Sequence, residues 1–383
     1  MEINYNFISI IDLLGVIQGL LFGGMLLLLH SKKNRPTLYL GLFILLFSLE
    51  PIPNILNDLG LLQVYPHLEL LPVHFHFLAY PLFYIYIQKI SVFGNKTPSY
   101  WTLIPGILEV LIGIVIFLLP THIKLSLKAS LFAVVYFILG LGYSIWIGVL
   151  IIRWIQIHKK EIENQFSVIF QKQLNWARFF TYASIGFQLL LIINFFIDDK
   201  QWYYFIVVIN VILIYWVSFK GIVQENITSL FSVFSQFDKE PLPNATTTKP
   251  IDTVSNTTTT AEVKQSEFMT SEVMSEIIET VETYIKNSQC FTKDNLTIID
   301  IAEATNIHPK RISYALNNQK GVNFNTYINK FRVERAKELF ENEGNNNLSV
   351  EGIGMEAGFH SKATFYGAFK KFEGCTPASF RNT

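Results

Sequence analysis

The 383-residue chain has little charge, little cysteine and no charge imbalance. Only 16% of its residues are Asp, Glu, Lys or Arg, against about 25% in an ordinary soluble domain. The 30 basic and 30 acidic residues cancel, so nothing in the bulk charge points to an anionic partner. There are two cysteines, Cys290 and Cys375, too few for a disulfide scaffold and better read as reduced thiols. Together these shortages exclude a single soluble domain, a disordered chain and a disulfide-stapled secreted module. No nucleotide-binding motif and no HExxH spacing occurs either.

What the chain has is apolar length, unevenly placed. Residues 1–222 carry 24 charged positions and residues 223–383 carry 36, so two chemically different halves are averaged. A helix needs roughly 20 mostly apolar residues to cross a bilayer core. Seven segments qualify: Ile8–Leu29, Leu38–Leu56, Leu68–Ile90, Tyr100–Leu119, Leu127–Trp154, Leu174–Ile197 and Trp202–Ile222. The first is no cleavable leader, because Glu2 precedes it and no small-residue cleavage site follows before Lys32. Loops on one side hold eleven Lys/Arg, including Lys32, Lys33, Arg35, Arg153, Lys159 and Lys160; loops on the other hold Lys124, Lys128 and Lys200. Basic loops stay cytosolic. The expectation is a multi-pass protein of the cytoplasmic membrane, N-terminus outside and C-terminal half in the cytosol. Trp101, Trp154, Trp176 and Trp202 fall near span ends, where indole rings favour the interface.

Polar residues inside such segments are costly and therefore informative. Asp12, Glu50, His74, His76, Glu109, Asn194 and Asn210 all lie within spans. Counting about 1.5 Å per residue puts all but Glu109 in the outer half. Two readings compete: interhelical hydrogen bonding with snorkelling, or an outward-facing site for a ligand or a proton. On a regular helix His74 and His76 would point apart and could not hold one ion together, so no metal site is expected.

Residues 223–265 read as a cytosolic linker, since the tract around Asn244–Pro250 and the run Thr257–Thr260 cannot build a core. Helical spacing returns at Met274, Ile277, Ile278 and Val281, with Ser271 as the expected N-cap. An internal repeat follows. Leu296-Thr-Ile-Ile-Asp-Ile-Ala-Glu-Ala-Thr-Asn-Ile-His308 aligns with Leu348-Ser-Val-Glu-Gly-Ile-Gly-Met-Glu-Ala-Gly-Phe-His360. Ala302 and Gly354 are small where two helices would cross. Asn306 and Gly358 stand where a turn wants positive φ. Pro309 suits the first position of the next helix. That is helix-turn-helix grammar, written twice, at about 296–319 and 348–372. A helix from Phe324 to Phe340, with a stripe at Phe324, Tyr327, Ile328, Phe331, Arg332, Ala336 and Leu339, joins the copies. Its length of roughly 25 Å could set two recognition helices into successive major grooves.

Residues from about Leu296 to Arg381 resemble the DNA-binding domain of the AraC/XylS-type transcription regulators. The resemblance rests on the first motif above, on Gly321-Val-Asn-Phe-Asn-Thr-Tyr-Ile-Asn-Lys-Phe-Arg-Val-Glu-Arg-Ala-Lys337 and on the closing stretch Ala357–Arg381. It implies a seven-helix domain over 266–383 that binds double-stranded DNA, with RNA polymerase and a second copy of the chain as protein partners. By register the family's base contacts fall on Lys310, Ser313, Tyr314 and Asn317, then on Lys362, Ala363, Thr364 and Gly367. Arg311 and Lys370 are further basic candidates, with Lys371, Lys330 and Arg332 behind them; Arg332 could instead pair with an acid such as Glu356. The family commonly has Arg where Tyr314 and Gly367 stand, so in the second unit either base readout rests on Lys362 and Thr364, or the unit mainly holds phosphate through Lys370 and Lys371. Residues 1–222 are similar in layout to multi-span sensor modules fused to such domains.

The resulting expectation is an all-α chain: a seven-helix transmembrane bundle, a linker and a double helix-turn-helix. It would be a membrane-anchored transcription regulator without cofactor or catalysis, its signal ligand unknown, with the linker relaying the signal. The rival reading is an intramembrane enzyme or transporter with a regulatory cytosolic domain, and a third is a scaffold that tethers DNA to the membrane without sensing. Against the rival, the spans contain no pair of related halves.

Overall fold

A computed structural model describes residues 7–28, 36–169, 172–197, 200–223, 270–293, 295–345 and 347–382. The chain divides into two compact units, one drawn from Met1–His158 and Leu174–Ser229, the other from Lys159–Gln173 and Leu230–Thr383. Among the described residues the fold is all-α, with a lone antiparallel bridge between Phe166 and Thr297 and no strand. The expected linker lies outside the described residues, apart from Val223.

In the first unit the helices are α1 (Phe7–Leu28), α2 (Pro36–Leu49), α3 (Ile52–Asp58), α4 (Leu61–Val64), α5 (Ala79–Ile90), α6 (Ile104–Phe117), α7 (Thr121–Lys128), α8 (Leu131–Gln165, whose last turns belong to the second unit), α9 (Asn175–Ile197) and α10 (Lys200–Val223). Six described stretches are long and apolar enough to cross a membrane: Ile8–Leu28, Pro36–Asp58, Tyr100–Phe117, Leu131–Gln165, Asn175–Asn194 and Tyr204–Gly221. Their outer faces suit lipid. On α6 alone Ile104, Ile107, Leu108, Leu111, Ile112 and Val115 are all more than half exposed, a patch that water would not tolerate.

The third expected span differs. Only its second half, α5, is helical; Glu69–Leu78 is irregular and Leu70 takes a positive φ of 55°. Pro72 explains the break, since it bars the helical region to Leu71 and donates no hydrogen bond. The short α5 sits at the centre of the unit, with every residue but Lys89 buried. Phe83 meets Phe43 and Phe180 at ring-centroid distances of 5.1 Å each. Irregular backbone that is buried needs partners for its polar groups within the protein.

The second unit holds α11 (Ser271–Ser288), α12 (Ile298–Thr305), α13 (Pro309–Gln319), α14 (Phe324–Glu341), α15 (Val350–Glu356), α16 (Lys362–Glu373) and α17 (Pro377–Arg381). The N-cap of α11 is Thr270, whose hydroxyl accepts from the Val273 N–H, one residue before the expected Ser271. There are two cores. Ile277, Val281, Ile298, Ile312 and Leu316 pack around the front of α14, and Ile353, Phe359, Phe365 and Phe369 around its rear. Phe324, Tyr327 and Ile328 serve the first core; Val333, Ala336 and Leu339 serve the second. Each fully buried Phe or Ile contributes about 1.5–3 kcal/mol, so the connecting helix is a shared wall, as its stripe predicts. Cys290 and Cys375 are free thiols.

Candidate nucleic-acid interface and a buried polar cluster

Local chemistry fixes each helix-turn-helix. In the first, Thr297 and Asp300 form a capping box: Thr297 Oγ1 accepts from the Asp300 N–H and Asp300 Oδ2 accepts from the Thr297 N–H at 2.7 Å. Asn306 turns the chain at φ 54°, and Ala302 beneath it is buried. His308 Nδ1 then accepts from the Lys310 N–H at 3.2 Å, and Pro309 opens α13. In the second unit Ser349 and Ser361 cap α15 and α16. Gly358 turns at φ 96°, and a Cβ there would lie 2.6 Å from the Phe291 carbonyl oxygen. One on Gly354 would lie 2.5 Å from the Phe365 ring. The two small-residue crossings and the two positive-φ turns therefore fall where the repeat put them.

On α13, Lys310 and Asn317 are exposed while Arg311, Ser313 and Tyr314 are half-buried. Asn317 is already engaged: its Nδ2 donates to the Ser313 carbonyl at 2.8 Å and to Asn164 Oδ1 at 3.2 Å. On α16, Lys362, Ala363, Gly367 and Lys370 are exposed and Thr364 is half-buried. Lys362 is tied to Glu351 by an ion pair of 2.5 Å and lies over the Tyr366 ring. That bond raises the Lys362 pKa and holds the Glu351 carboxyl below its ordinary range. Gly367 has open space around it. Lys330 and Lys371 are exposed.

Arg332 is not available for DNA. It is fully buried, donating from Nε to the Phe291 carbonyl at 2.7 Å and from a terminal nitrogen to the Lys293 carbonyl and to Ser167 Oγ, each at 3.2 Å. Its guanidinium also lies over the Phe359 ring of the second core. These acceptors are backbone carbonyls and a hydroxyl, and the Asn329 side-chain oxygen lies within 3.5 Å of its other terminal nitrogen. Five donors in a planar fork let one arginine hold several acceptors.

In the first unit four of the seven polar span residues come together. Glu109 accepts from the His76 and Phe77 N–H groups at 3.1 and 3.0 Å and from the Tyr136 hydroxyl at 2.5 Å. Glu50 Oε1 lies 3.9 Å from His76 Nδ1. The His74 and His76 rings stack at 5.8 Å. Glu109, which the depth count set apart from the other six, meets the third segment where that segment is irregular. The same break brings the two imidazoles together, since alternate residues of extended chain share a side. Tyr136 was missed; a hydroxyl inside the apolar run 131–152 was its only signal. A cavity of about 430 Å³ opens beside the cluster, lined by Pro72, His74, Glu109, Gly113, Phe132 and Tyr136 among others. No hydrogen bond or ion pair among the described residues joins Asp12, Asn194 or Asn210 to this group. Asp12 Oδ2 and Asn210 Oδ1 are buried without a hydrogen-bond partner there. Nor do three or more His, Cys, Asp or Glu gather as metal ligands among the described residues.

Two helix-turn-helix units sharing one helix define the class of the second unit. A family model described as a helix-turn-helix domain matches residues 301–383. The chain is similar to a Proteus vulgaris protein named probable transcription factor PqrA, 32% identical over 114 residues, which are 30% of this chain and 86% of that protein. It is also similar to a Bacillus subtilis (strain 168) protein named uncharacterized HTH-type transcriptional regulator YtdP, 26% identical over 89 residues, 23% of this chain and only 11% of that protein. No solved structure matches the chain. Through its C-terminal domain the chain belongs to the AraC-type helix-turn-helix family.

Proposed function

We propose that the chain is a membrane-anchored, one-component transcription regulator. The duplicated helix-turn-helix carries the reading: α13 and α16 are each presented by a capped turn, on two cores that share α14. In this account Ser313, Tyr314 and Asn317 read bases, with Lys310 and Arg311 beside them. Lys362, Thr364, Lys370 and Lys371 hold the second half of the site mainly through phosphate, Ala363 and Gly367 offering no donor. The six apolar stretches anchor the protein, with the basic loops and the reader in the cytosol. Homodimerisation and contact with RNA polymerase would follow from the family's mode of action.

The signal enters, in this reading, at the cluster of Glu50, His74, His76, Glu109 and Tyr136. A carboxylate capping an irregular, positive-φ segment beside a mostly apolar cavity suits a small amphiphilic ligand or a proton. The rival reading as a transporter draws on the same observation, since broken helices also mark transport sites. Selection of DNA from a randomised pool by the full-length chain in membrane vesicles tests the regulator: enrichment of one motif is expected, and recovery of random sequence would defeat it. Glu109→Gln separates the other two. Reporter output that no longer follows growth conditions, with DNA selection intact, supports sensing; solute uptake lost on the same change supports transport.

A further inference from the structure

Residues 159–173, the last turns of α8 and the stretch that leads to α9, group with the DNA-reading unit. Ile162, Phe166 and Ser167 are each no more than 2% exposed. The Ser167 N–H donates to the Leu296 carbonyl at 3.0 Å and its hydroxyl to the same oxygen at 2.7 Å, while Phe166 bridges Thr297. This pairing grips the chain where α12 begins. Asn325 Nδ2 donates to the Ser167 carbonyl at 2.6 Å, and Asn323, the N-cap of α14, donates to Glu163 Oε2 at 3.2 Å. Ser167 Oγ also accepts from Arg332, the side chain that spans both cores. Farther along, Lys172 lies over the Phe166 ring and its ammonium reaches the Val168 carbonyl and Asn295. Burial pushes this lysine's pKa down.

A solvated loop would not bury an aromatic ring and a serine or satisfy the starts of two reader helices. The same segment reaches the first reading helix, where Asn164 Oδ1 takes the Asn317 amide. That is the α13 position farthest along the expected base-reading face. Glu163, one residue earlier, would set a carboxylate near any phosphate that approached there.

We infer that residues 159–173 dock the reader in a state in which the first reading helix is withheld from DNA, and that undocking them is the regulated step. Helix α8 makes this a mechanical route. It runs unbroken from Leu131 to Gln165, so the helix whose Tyr136 hydroxyl binds Glu109 also carries Glu163 and Asn164. A change at the Glu109 cluster that shifts or turns α8 moves the docking residues directly, with no part required of the linker. Two states with different affinities for DNA are all such a switch needs. The competition with DNA rests on the regulator reading; the docking does not.

The test uses full-length protein in inverted membrane vesicles with Asn164→Cys and Asn317→Cys, joined by a short bis-methanethiosulfonate that dithiothreitol cleaves. Without DNA, most chains should cross-link within the molecule, and an excess of the selected DNA fragment should suppress it. Cross-linked chains should bind that fragment at least ~10-fold more weakly than the same double-cysteine chains left uncross-linked, and return to that level on reduction. In parallel, Glu163→Gln combined with Asn164→Ala should tighten DNA binding by about 5-fold, the worth of roughly one hydrogen bond. Absence of intramolecular cross-linking overturns the docking. Unchanged DNA affinity after cross-linking overturns the competition. A chain that cross-links but selects no DNA contradicts the regulator reading and leaves the docking standing.

Discussion

The two helix-turn-helix copies share a pattern and divide the work unequally. The first closes its turn with Asn306, which visits positive φ at modest cost. The second must use glycine, because Gly358 combines positive φ with a backbone contact that admits no Cβ. The first exposes hydrogen-bonding side chains on its reading helix; the second offers alanine, a bare glycine and a lysine already paired with Glu351. On the proposed function the first copy reads bases and the second holds the backbone.

The largest expected contrast is in stability. Gly358→Val should cost at least ~3 kcal/mol, from strain and overpacking together, and lower the denaturant midpoint sharply. Asn306→Gly should stay within about 1 kcal/mol of the parent. Equal effects at the two turns would erase the distinction. Next comes Gly354→Ala, whose new Cβ meets the Phe365 ring; about 1–3 kcal/mol is expected, relieved in part by Phe365→Leu.

Smaller differences fall on DNA binding by the full-length chain. Replacing Ser313 or Asn317 with alanine should cost about 1–3 kcal/mol on the selected sequence and relax preference at one or two base positions. Lys362→Ala should weaken every sequence alike and reduce the slope of log affinity against log salt by about 1. Sequence-dependent loss from Lys362→Ala would make the second unit a base reader after all.

The smallest effect is a null. Glu351 has a lowered pKa, so its pairing with Lys362 is complete above the ordinary carboxylate range and is lost only as pH falls through the lowered value. Between about pH 6 and about pH 8 this pair should therefore give DNA binding no pH dependence. Titration of binding over that window in parent and Glu351→Gln chains checks it, and a slope present in the parent but absent from the variant would contradict it.

Much of this was legible in the residues. Periodicity placed α14 within one residue of its ends, and the repeat located both turns, because helix-turn-helix geometry is set by local rules of caps, small residues and positive φ. The long apolar helices were legible from hydropathy except for the third. Pro72 was visible there, but the price of breaking the helix is covered by Glu109 from another segment, and no local pattern announces such a partner. Arg332 was placed on the buried stripe, yet the Phe291 and Lys293 carbonyls and the Ser167 hydroxyl that accept from it come from far along the chain. Least legible was the 159–173 segment. Lys159, Lys160, Glu161 and Glu163 read as an ordinary charged loop, and only tertiary contact reveals that Phe166 and Ser167 are core.

The central claim is that the two units read one DNA site unequally. Footprinting of the full-length chain in vesicles on its selected fragment, combined with base-by-base substitution of that fragment, tests it directly. The account predicts two protected major-groove segments roughly 34 Å apart on one face, with strict base preference under the first unit and loose preference under the second. Protection of one segment only, or equal strictness in both, would contradict it.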